Sequence, residues 1–186
     1  MGLGLEYQEG QTPIDEEEKE GLRIKTISTK SELDEFEQLN NEEALQWIFT
    51  KKFKPKQVFA EKFICDLHNR MFGNVWDWAG RFRKTDKNIG IDKHQISIAL
   101  KVLCDDSLFW VENEIYSPEE IALRFKHRLV SIHCFPNGNG RHSRVIGRHH
   151  FRKIIWAGAF FMGGCQLFQS QRDPSSVPKS RQASRP

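Results

Sequence analysis

The chain has 186 residues and a mass of 21.8 kDa, which is enough for one compact domain. Of its residues, 38% are hydrophobic and 28% are charged, as is typical of a soluble globular protein. No apolar run is long enough to span a bilayer, and the N-terminus lacks the basic and apolar regions of a secretory signal. Four widely spaced cysteines show neither a zinc pattern nor a disulfide framework, so we expect a cytoplasmic protein without a membrane partner.

The net charge of +3 is unevenly distributed along the chain. Residues 147–186 carry a net charge of +6, so residues 1–146 carry −3. A mildly acidic body is a poor surface for nucleic acid, and nucleic-acid binding through the basic tail is therefore disfavoured. Serine and proline dominate the end of the chain, which predicts disorder there. We divide the chain into an extended lead-in of residues 1–28, a helical domain of residues 29–156 and a basic, largely disordered tail of residues 157–186.

Within the helical domain, the first elements follow from apolar spacing and from turn residues. A helix is predicted to start at Ser31, with Asp34 completing an imperfect capping box. A second helix follows the chain-breaking Pro55. The acidic run Asp15–Glu20 in the lead-in is interpreted as a solvated stretch. The apolar face of the first helix consists of Leu33, Phe36, Ala44, Leu45 and Ile48.

The second half of the domain contains a predicted hairpin and two further helices. Residues 82–98 are polar, with Gly90 between two isoleucines, which indicates a short β-hairpin. A third helix covers roughly residues 95–113. Ser117 and Pro118 form a strong start for a fourth helix, whose apolar residues then recur at helical spacing. The domain is therefore predicted to be mainly α-helical.

A loop with the chemistry of phosphate binding ends the fourth helix, from His133 to Arg144. Its Asn-Gly-Asn-Gly run, residues 137–140, tolerates positive φ, so successive N–H groups can form an anion-binding nest. A helix beginning near Gly140 would add its positive dipole end there. Arg141 and Arg144 can both face the nest, and a histidine suits proton transfer near neutral pH. Singly these features fit a plain turn or a helix cap; together they predict a phosphate-handling site.

This loop resembles the signature of the Fic (Fic/Doc) family, His-x-Phe-x-(Asp/Glu)-Gly-Asn-Gly-Arg-x-x-Arg. Upstream, the stretch from His68 to Phe72, the stretch from Trp76 to Gly80 and then Arg83 resemble the family's core pattern. Within the family, the chain is most similar to the subgroup called mobile mystery protein B, over roughly residues 10–144. The residues that match the signature are His133, Phe135, Gly138, Asn139, Gly140, Arg141 and Arg144.

The resemblance implies a mainly α Fic-type helical bundle with a short β-hairpin flap. It also implies an enzyme that transfers AMP from ATP to a Ser, Thr or Tyr hydroxyl of a target protein, with His133 as the catalytic base. The flap, about Lys84–Gln95, would dock the target by strand addition. Its docking residues would be Lys84, Thr85, Asn88, Ile89, Gly90 and Ile91. The ATP phosphates would bind at Asn137, Gly138, Asn139, Gly140, Arg141 and Arg144.

Two features depart from the family pattern. Asn137 stands where the family has an acid that holds Mg²⁺; an amide is a weaker ligand, so the ATP phosphates would bind most of the metal. The family's inhibitory helix, whose glutamate pairs with the second motif arginine, has no clean copy here. The acidic helix containing Glu32, Glu35 and Glu37 is the candidate for it, and an antitoxin protein is the alternative restraint.

The resemblance stops after Arg144, where a further amphipathic helix is expected. Codons for residues 147–157 can be chosen so that dropping one base gives a sequence typical of that helix. We hypothesise that the chain from about residue 146 onward is a frameshifted tail. A gene whose codons cannot give that second reading would refute the hypothesis.

Two functions from different classes remain open at this stage. The first is protein adenylyltransfer by a Fic-type enzyme. The second is a catalytically impaired Fic-fold module that binds a nucleotide or a partner, as in a toxin–antitoxin pair, because Asn137 or the altered tail has disabled transfer. Retained nucleotide binding without transfer would favour the second.

Overall fold

A computed structural model describes residues 15–147, and helices dominate that range. The predicted mainly α class is confirmed. A 3-10 turn, Lys93–Gln95, leads into the fifth helix. The α-helices of the described range are α1 Glu16–Lys19, α2 Lys30–Thr50, α3 Pro55–Val58, α4 Glu61–Phe72, α5 Ile96–Glu112, α6 Pro118–Ile132 and α7 Asn139–Gly147.

The starts of the long helices follow from their capping residues. Thr29, rather than Ser31, caps α2: its hydroxyl accepts from the N–H of Glu32, and the Glu32 carboxylate accepts from the N–H of Thr29 at 3.1 Å. The predicted start was two residues late, because Glu32 and not Asp34 completes the capping box. Ser117 caps α6 as predicted, accepting from the N–H of Glu120 at 3.3 Å.

The core forms where α2 packs on α4 and where α6 packs on both α5 and α7. Three of the five residues predicted for the apolar face of α2 are buried, namely Leu33, Ala44 and Ile48. Phe36 from the same set is 43% exposed. The rings of Phe72, Trp76 and Phe135 are buried. Phe135 belongs to the loop from His133 to Arg144, called the motif loop, and its ring stacks on His68. Aromatic packing in the core thus supports the loop that contains the predicted phosphate-binding residues.

The segment between α4 and α5 does not form the predicted hairpin, since residues 82–92 show bends and no β-ladder. A buried arginine, Arg83, holds the segment together. Its guanidinium donates to the carbonyl oxygens of Thr85, at 2.8 Å, and of Ile91. It also donates to the carbonyl oxygen of His133 at 2.7 Å, while its backbone N–H donates to Cys134. The Arg83 side chain thus connects both ends of the segment to the motif loop, and its hydrogen bonds replace those that a β-ladder would have made.

Asp15 and Glu18 of the acidic run Asp15–Glu20 pack on the domain, so the interpretation of the run as a solvated stretch is wrong for these two residues, whereas Glu16 and Glu20 are exposed. The Lys87 ammonium lies 2.8 Å from the Asp15 carboxylate and 2.6 Å from the Glu18 carboxylate. The Thr85 hydroxyl donates to Asp15 at 2.9 Å, and the Trp78 indole donates to the Glu18 carbonyl at 3.0 Å. The hydrogen bond from Lys87 is the main reason why the pKa of Asp15 lies below its usual value. These contacts tie residues 82–92 to α1.

Several predictions concern residues outside the described range. The tail of residues 157–186 and the change of reading frame from about residue 146 fall almost wholly beyond residue 147.

None of the helices formed by residues 15–147 combines the length and the apolar character that a bilayer crossing requires.

Candidate active site

The candidate site begins at His133, the residue that ends α6. His133 has φ 58° and ψ 60°, in the left-handed region, and its N–H donates to the Leu129 carbonyl at 3.3 Å. This geometry is common at a helix C-terminus, but a residue with a Cβ adopts it at a cost. It turns the chain sharply out of α6 and into residues 134–138.

Residues 82–92, the segment held together by Arg83, cover His133. Only 3% of the residue is exposed. A Cβ placed on Gly90, which has φ 106°, would lie 2.6 Å from the Cβ of His133, so the two backbones approach too closely for any other residue. Burial is the main cause of a pKa below the usual 6.5, and the charges of Arg83 and Lys87 act in the same direction. The imidazole is therefore neutral at pH 7 and able to accept a proton.

The side chain of Asn139 closes the loop. Its oxygen accepts from the N–H of Phe135 at 2.9 Å, and its amide nitrogen donates to the Phe135 carbonyl at 2.7 Å. The Phe135 ring is buried and stacks on His68 with centroids 3.7 Å apart, so it anchors the loop in the core. Both polar ends of the Asn139 side chain hold the loop, so only its backbone N–H, at the start of α7, remains a predicted phosphate contact.

Two glycines of the loop have different structural reasons to be glycine. Gly138 has φ 77°, and a Cβ there would meet the Phe72 ring at 2.6 Å. A Cβ on Gly140 would find nothing within 4 Å among the described residues, although glycine weakens a helix. The N–H groups in the first turn of α7 have no acceptor within the helix and carry its positive dipole end. The open space at Gly140 therefore lies where an anion is favoured.

Asn137 uses its polar groups within the site. Its side-chain oxygen accepts from the N–H of Gly138 at 2.7 Å and from Arg141 at 3.4 Å. Within residues 15–147, no group of three acidic, histidine or cysteine side chains could hold a metal ion. The protein donors do not fit a resident magnesium site, because the one amide oxygen at the family's acidic position is already engaged.

The two motif arginines are held differently. Arg141 forms an ion pair with the buried Glu37 of α2, and its guanidinium lies 4.8 Å from the centroid of the Phe72 ring. The exposed Arg144 donates to the Gly140 carbonyl at 3.1 Å. The acidic-helix prediction thus contains one residue that reaches the site. Glu37 pairs with the first motif arginine, whereas the resemblance implied the second.

His68 supports the loop from within the core, a role that the sequence did not assign. Its Nδ1 accepts from the N–H of Gly80 at 3.0 Å, so Nε2 carries the proton and donates to the Asn137 carbonyl at 3.0 Å. Burial is the main cause of its strongly lowered pKa. His142, also buried, packs edge-on against both His68 and Phe135. His68 was part of the upstream pattern, but only its spatial neighbours show that it bears on the loop.

The predicted docking residues all lie on the segment that covers His133. Thr85 is partly buried against Asp15, and Ile91 donates its N–H to the Ile132 carbonyl at 3.4 Å. The more exposed members of the set are Lys84, Asn88, Ile89 and Gly90. The structure thus brings the two predicted clusters, the motif loop and this segment, into contact.

Known proteins resemble this chain over the residues that form the candidate site. The Fic/DOC family model matches residues 58–150, half of the chain. The protein adenylyltransferase Fic of Nematostella vectensis is 28% identical over 124 residues, which cover 64% of this chain and 29% of that relative. The protein of the same name from Aedes aegypti is 26% identical over 107 residues, covering 55% of this chain and 21% of that relative. The chain thus spans less than a third of the length of these curated relatives.

Solved structures resemble the fold. The N-terminal Fic domain of Bep8, a VirB-translocated effector of Bartonella sp. 1-1C, superposes with a TM-score of 0.58 at 19% identity, covering 74% of this chain and 70% of that domain. A Fic-domain signalling protein of Bacteroides thetaiotaomicron gives a TM-score of 0.51 at 19% identity, covering 63% of this chain and 47% of that one. The family match and the shared fold lead to one conclusion: the chain belongs to the Fic/DOC family.

Proposed function

We propose that the protein transfers AMP from ATP to a hydroxyl side chain of a target protein. One observation carries the proposal: the neutral imidazole of His133 and the open helix start at Gly140 belong to the same short loop. A proton acceptor next to an anion site is what transfer of a phosphate-containing group requires. The names of the curated relatives support the choice of AMP as that group.

The nucleotide would bind with its phosphates at the first turn of α7. The N–H groups of residues 139–141 supply hydrogen-bond donors, and the absence of a Cβ at Gly140 lets the phosphate oxygens approach the backbone. Arg141 and Arg144 supply forked, permanently charged donors to the β- and γ-phosphates. The Phe72 ring packs closely against Gly138, and the Asn139 side chain closes the loop on Phe135, so both residues help to fix the shape of the loop.

The reaction follows from these positions. His133 takes the proton of the target hydroxyl, the hydroxyl oxygen attacks the α-phosphorus, and the bond to the bridging oxygen breaks so that pyrophosphate leaves. A positioned base of this kind contributes about 10²–10⁴-fold to a rate, and preorganised donors at the phosphates contribute further. The proton returns to solvent from the imidazole, whose lowered pKa makes that release easy near neutral pH.

Magnesium would enter with ATP as part of the substrate. Asn137 offers a neutral oxygen that already has donors, so the ATP phosphates would provide most of the ligands. No step of the proposed reaction depends on a protein-bound metal.

The target would dock along the segment over His133. An acceptor hydroxyl can reach the imidazole only if residues 88–91 move away from it, because Gly90 lies against His133. The exposed backbone around Ile89 offers main-chain groups to an extended peptide. Target binding would then couple to uncovering the base.

A second function is favoured by Asn137. The neutral residue at the family's acidic position supports a module that binds ATP or a protein partner, such as an antitoxin, without transferring AMP.

The two functions are separated by incubating the protein and Mg²⁺ with cell extract and with ATP labelled on the α- or the γ-phosphate. His133→Asn is a suitable control, because asparagine tolerates the left-handed backbone of this position. α-Label on protein that disappears in the variant supports AMP transfer. γ-Label above the level of the extract alone indicates a kinase-like reaction, and no added label with retained ATP binding supports the binding module.

A further inference from the structure

Glu37 is a buried carboxylate that links a distant helix to the candidate site. It lies in the middle of α2 and is 4% exposed. One of its oxygens accepts from the indole N–H of Trp76 at 2.6 Å. The other accepts from the Arg141 guanidinium, 104 residues away along the chain. A buried charge is tolerated only when it is paired and hydrogen-bonded, and Glu37 meets both conditions.

The Arg141 guanidinium is held on three sides. Glu37 binds one amino group, the Asn137 side-chain oxygen lies 3.4 Å from the other, and the Phe72 ring lies beneath the plane. The Arg141 side chain is nevertheless 35% exposed. A guanidinium has five N–H donors in a fixed plane, so donors remain for a ligand once these contacts are made. The plane is therefore oriented before any phosphate arrives.

The carboxylate itself is required for this arrangement. Trp76 and Arg141 both donate, so their common partner must accept through two separate oxygens. A glutamine has the same shape but only one oxygen; its NH₂ group would face one of the two donors. Trp76 is wholly buried and cannot move aside. Substitution of Glu37 by glutamine should therefore release Arg141 rather than Trp76.

We propose that Glu37 is a positioning residue, which presets the Arg141 guanidinium to receive a terminal phosphate of a nucleoside triphosphate. This role rests on the proposed function, since it assumes that phosphate binds at the start of α7. A carboxylate that merely blocked the site would have to leave when phosphate binds, and the hydrogen bond from Trp76 opposes that departure. Glu37 and phosphate instead bind different edges of the same guanidinium.

Calorimetric titration of the full chain with inorganic triphosphate and with a non-hydrolysable ATP analogue tests the proposal. We expect Glu37→Gln to weaken both ligands by about tenfold or more, which corresponds to ~1.4 kcal/mol. The matched control is Glu35→Gln, an exposed glutamate on the same helix, which should leave both affinities unchanged. Unchanged or tighter binding by Glu37→Gln would overturn the proposal, and tighter binding would assign Glu37 a blocking role.

A double-mutant comparison separates positioning from a purely structural role. In an Arg141→Met background, Glu37→Gln should cause no further loss of triphosphate affinity, because its target is gone. Equal losses in both backgrounds would refute the link. If Glu37→Gln does not fold, Trp76→Phe provides the test, because it keeps an aromatic side chain but removes the N–H that donates to Glu37. We expect a several-fold loss of affinity, whereas unchanged affinity contradicts the proposal.

The outcomes also distinguish this proposal from the proposed function. Wild-type protein that binds triphosphate through Glu37 and Arg141 but never transfers AMP would defeat adenylyltransfer alone. AMP transfer with a Glu37→Gln variant of undiminished affinity would defeat the positioning role alone. Absence of any triphosphate binding by wild-type protein would refute both.

Discussion

Substitution of Gly140 by alanine separates stability from ligand binding. In a helix, alanine is favoured over glycine by up to about 1 kcal/mol, and nothing among the described residues lies within 4 Å of the added Cβ. Folding alone therefore predicts a small gain, up to ~4 °C in Tm for a domain of this size. A phosphate oxygen bound to a first-turn N–H lies about 2.9 Å from the nitrogen, and a methyl group at this position crowds that approach. We expect ATP affinity to fall at least about tenfold, ~1.4 kcal/mol.

The assay combines thermal unfolding with calorimetric titration of ATP on the same preparations. Gly138→Ala is the contrasting control, because its positive φ and the nearby Phe72 ring predict a destabilisation of ~1–2 kcal/mol or more. Gly140→Ala should thus lose affinity without losing stability, and Gly138→Ala should lose both. Undiminished ATP affinity in a stable Gly140→Ala protein would refute the assignment of the anion site to the start of α7.

Three further predictions concern protonation and metal binding. Because the neutral form of His133 acts and its pKa lies below 6.5, we expect the acid limb of the pH profile of kcat/KM to lie below pH 6.5. The charge of Lys87 helps to lower this pKa, so Lys87→Met should move the limb to higher pH. A limb that does not move contradicts the electrostatic account. The buried His142 has a pKa of about 3 in the folded state, below the 6.5 of the unfolded chain, so stability should be retained above pH 6.5 and lost as pH falls towards 3. His142→Asn should reduce the slope of the unfolding free energy against pH by about 1.4 kcal/mol per pH unit, measured by denaturant titrations between pH 6 and 4. An unaltered slope refutes the burial argument. Asn137→Asp should lower the Mg²⁺ concentration needed for half-maximal AMP transfer, whereas an unchanged requirement would show that this position does not contact the metal.

Local sequence signals predicted much of the fold and of the loop. Ser117 and Pro118 specify a helix start through contacts within one turn, so the sequence was sufficient to place α6. The Asn-Gly-Asn-Gly run was predicted to tolerate positive φ, and Gly138 has it. Each of these features depends on neighbours a few residues apart.

Features that depend on distant partners could not be predicted in the same way. The acidic lead-in looked solvated because Lys87, its partner, is some 70 residues away. The residues around Gly90 do turn the chain, but the Arg83 side chain makes the hydrogen bonds that a partner strand would have made. Asn139 was predicted to line the phosphate site, and the sequence did not show that its side chain closes the loop on Phe135. Spacing along a sequence shows which groups can meet, whereas packing determines which groups do.

The products formed from ATP test the central claim most directly. Purified protein, Mg²⁺ and cell extract would be incubated with ATP labelled on the α- or the γ-phosphate, and protein-bound AMP, protein-bound phosphate, pyrophosphate and ADP would be measured together. Adenylyltransfer predicts protein-bound AMP and pyrophosphate above the levels in the extract alone, with both returning to those levels in His133→Asn. ADP formation with phosphate on the protein, or ATP binding without either product, would contradict the account.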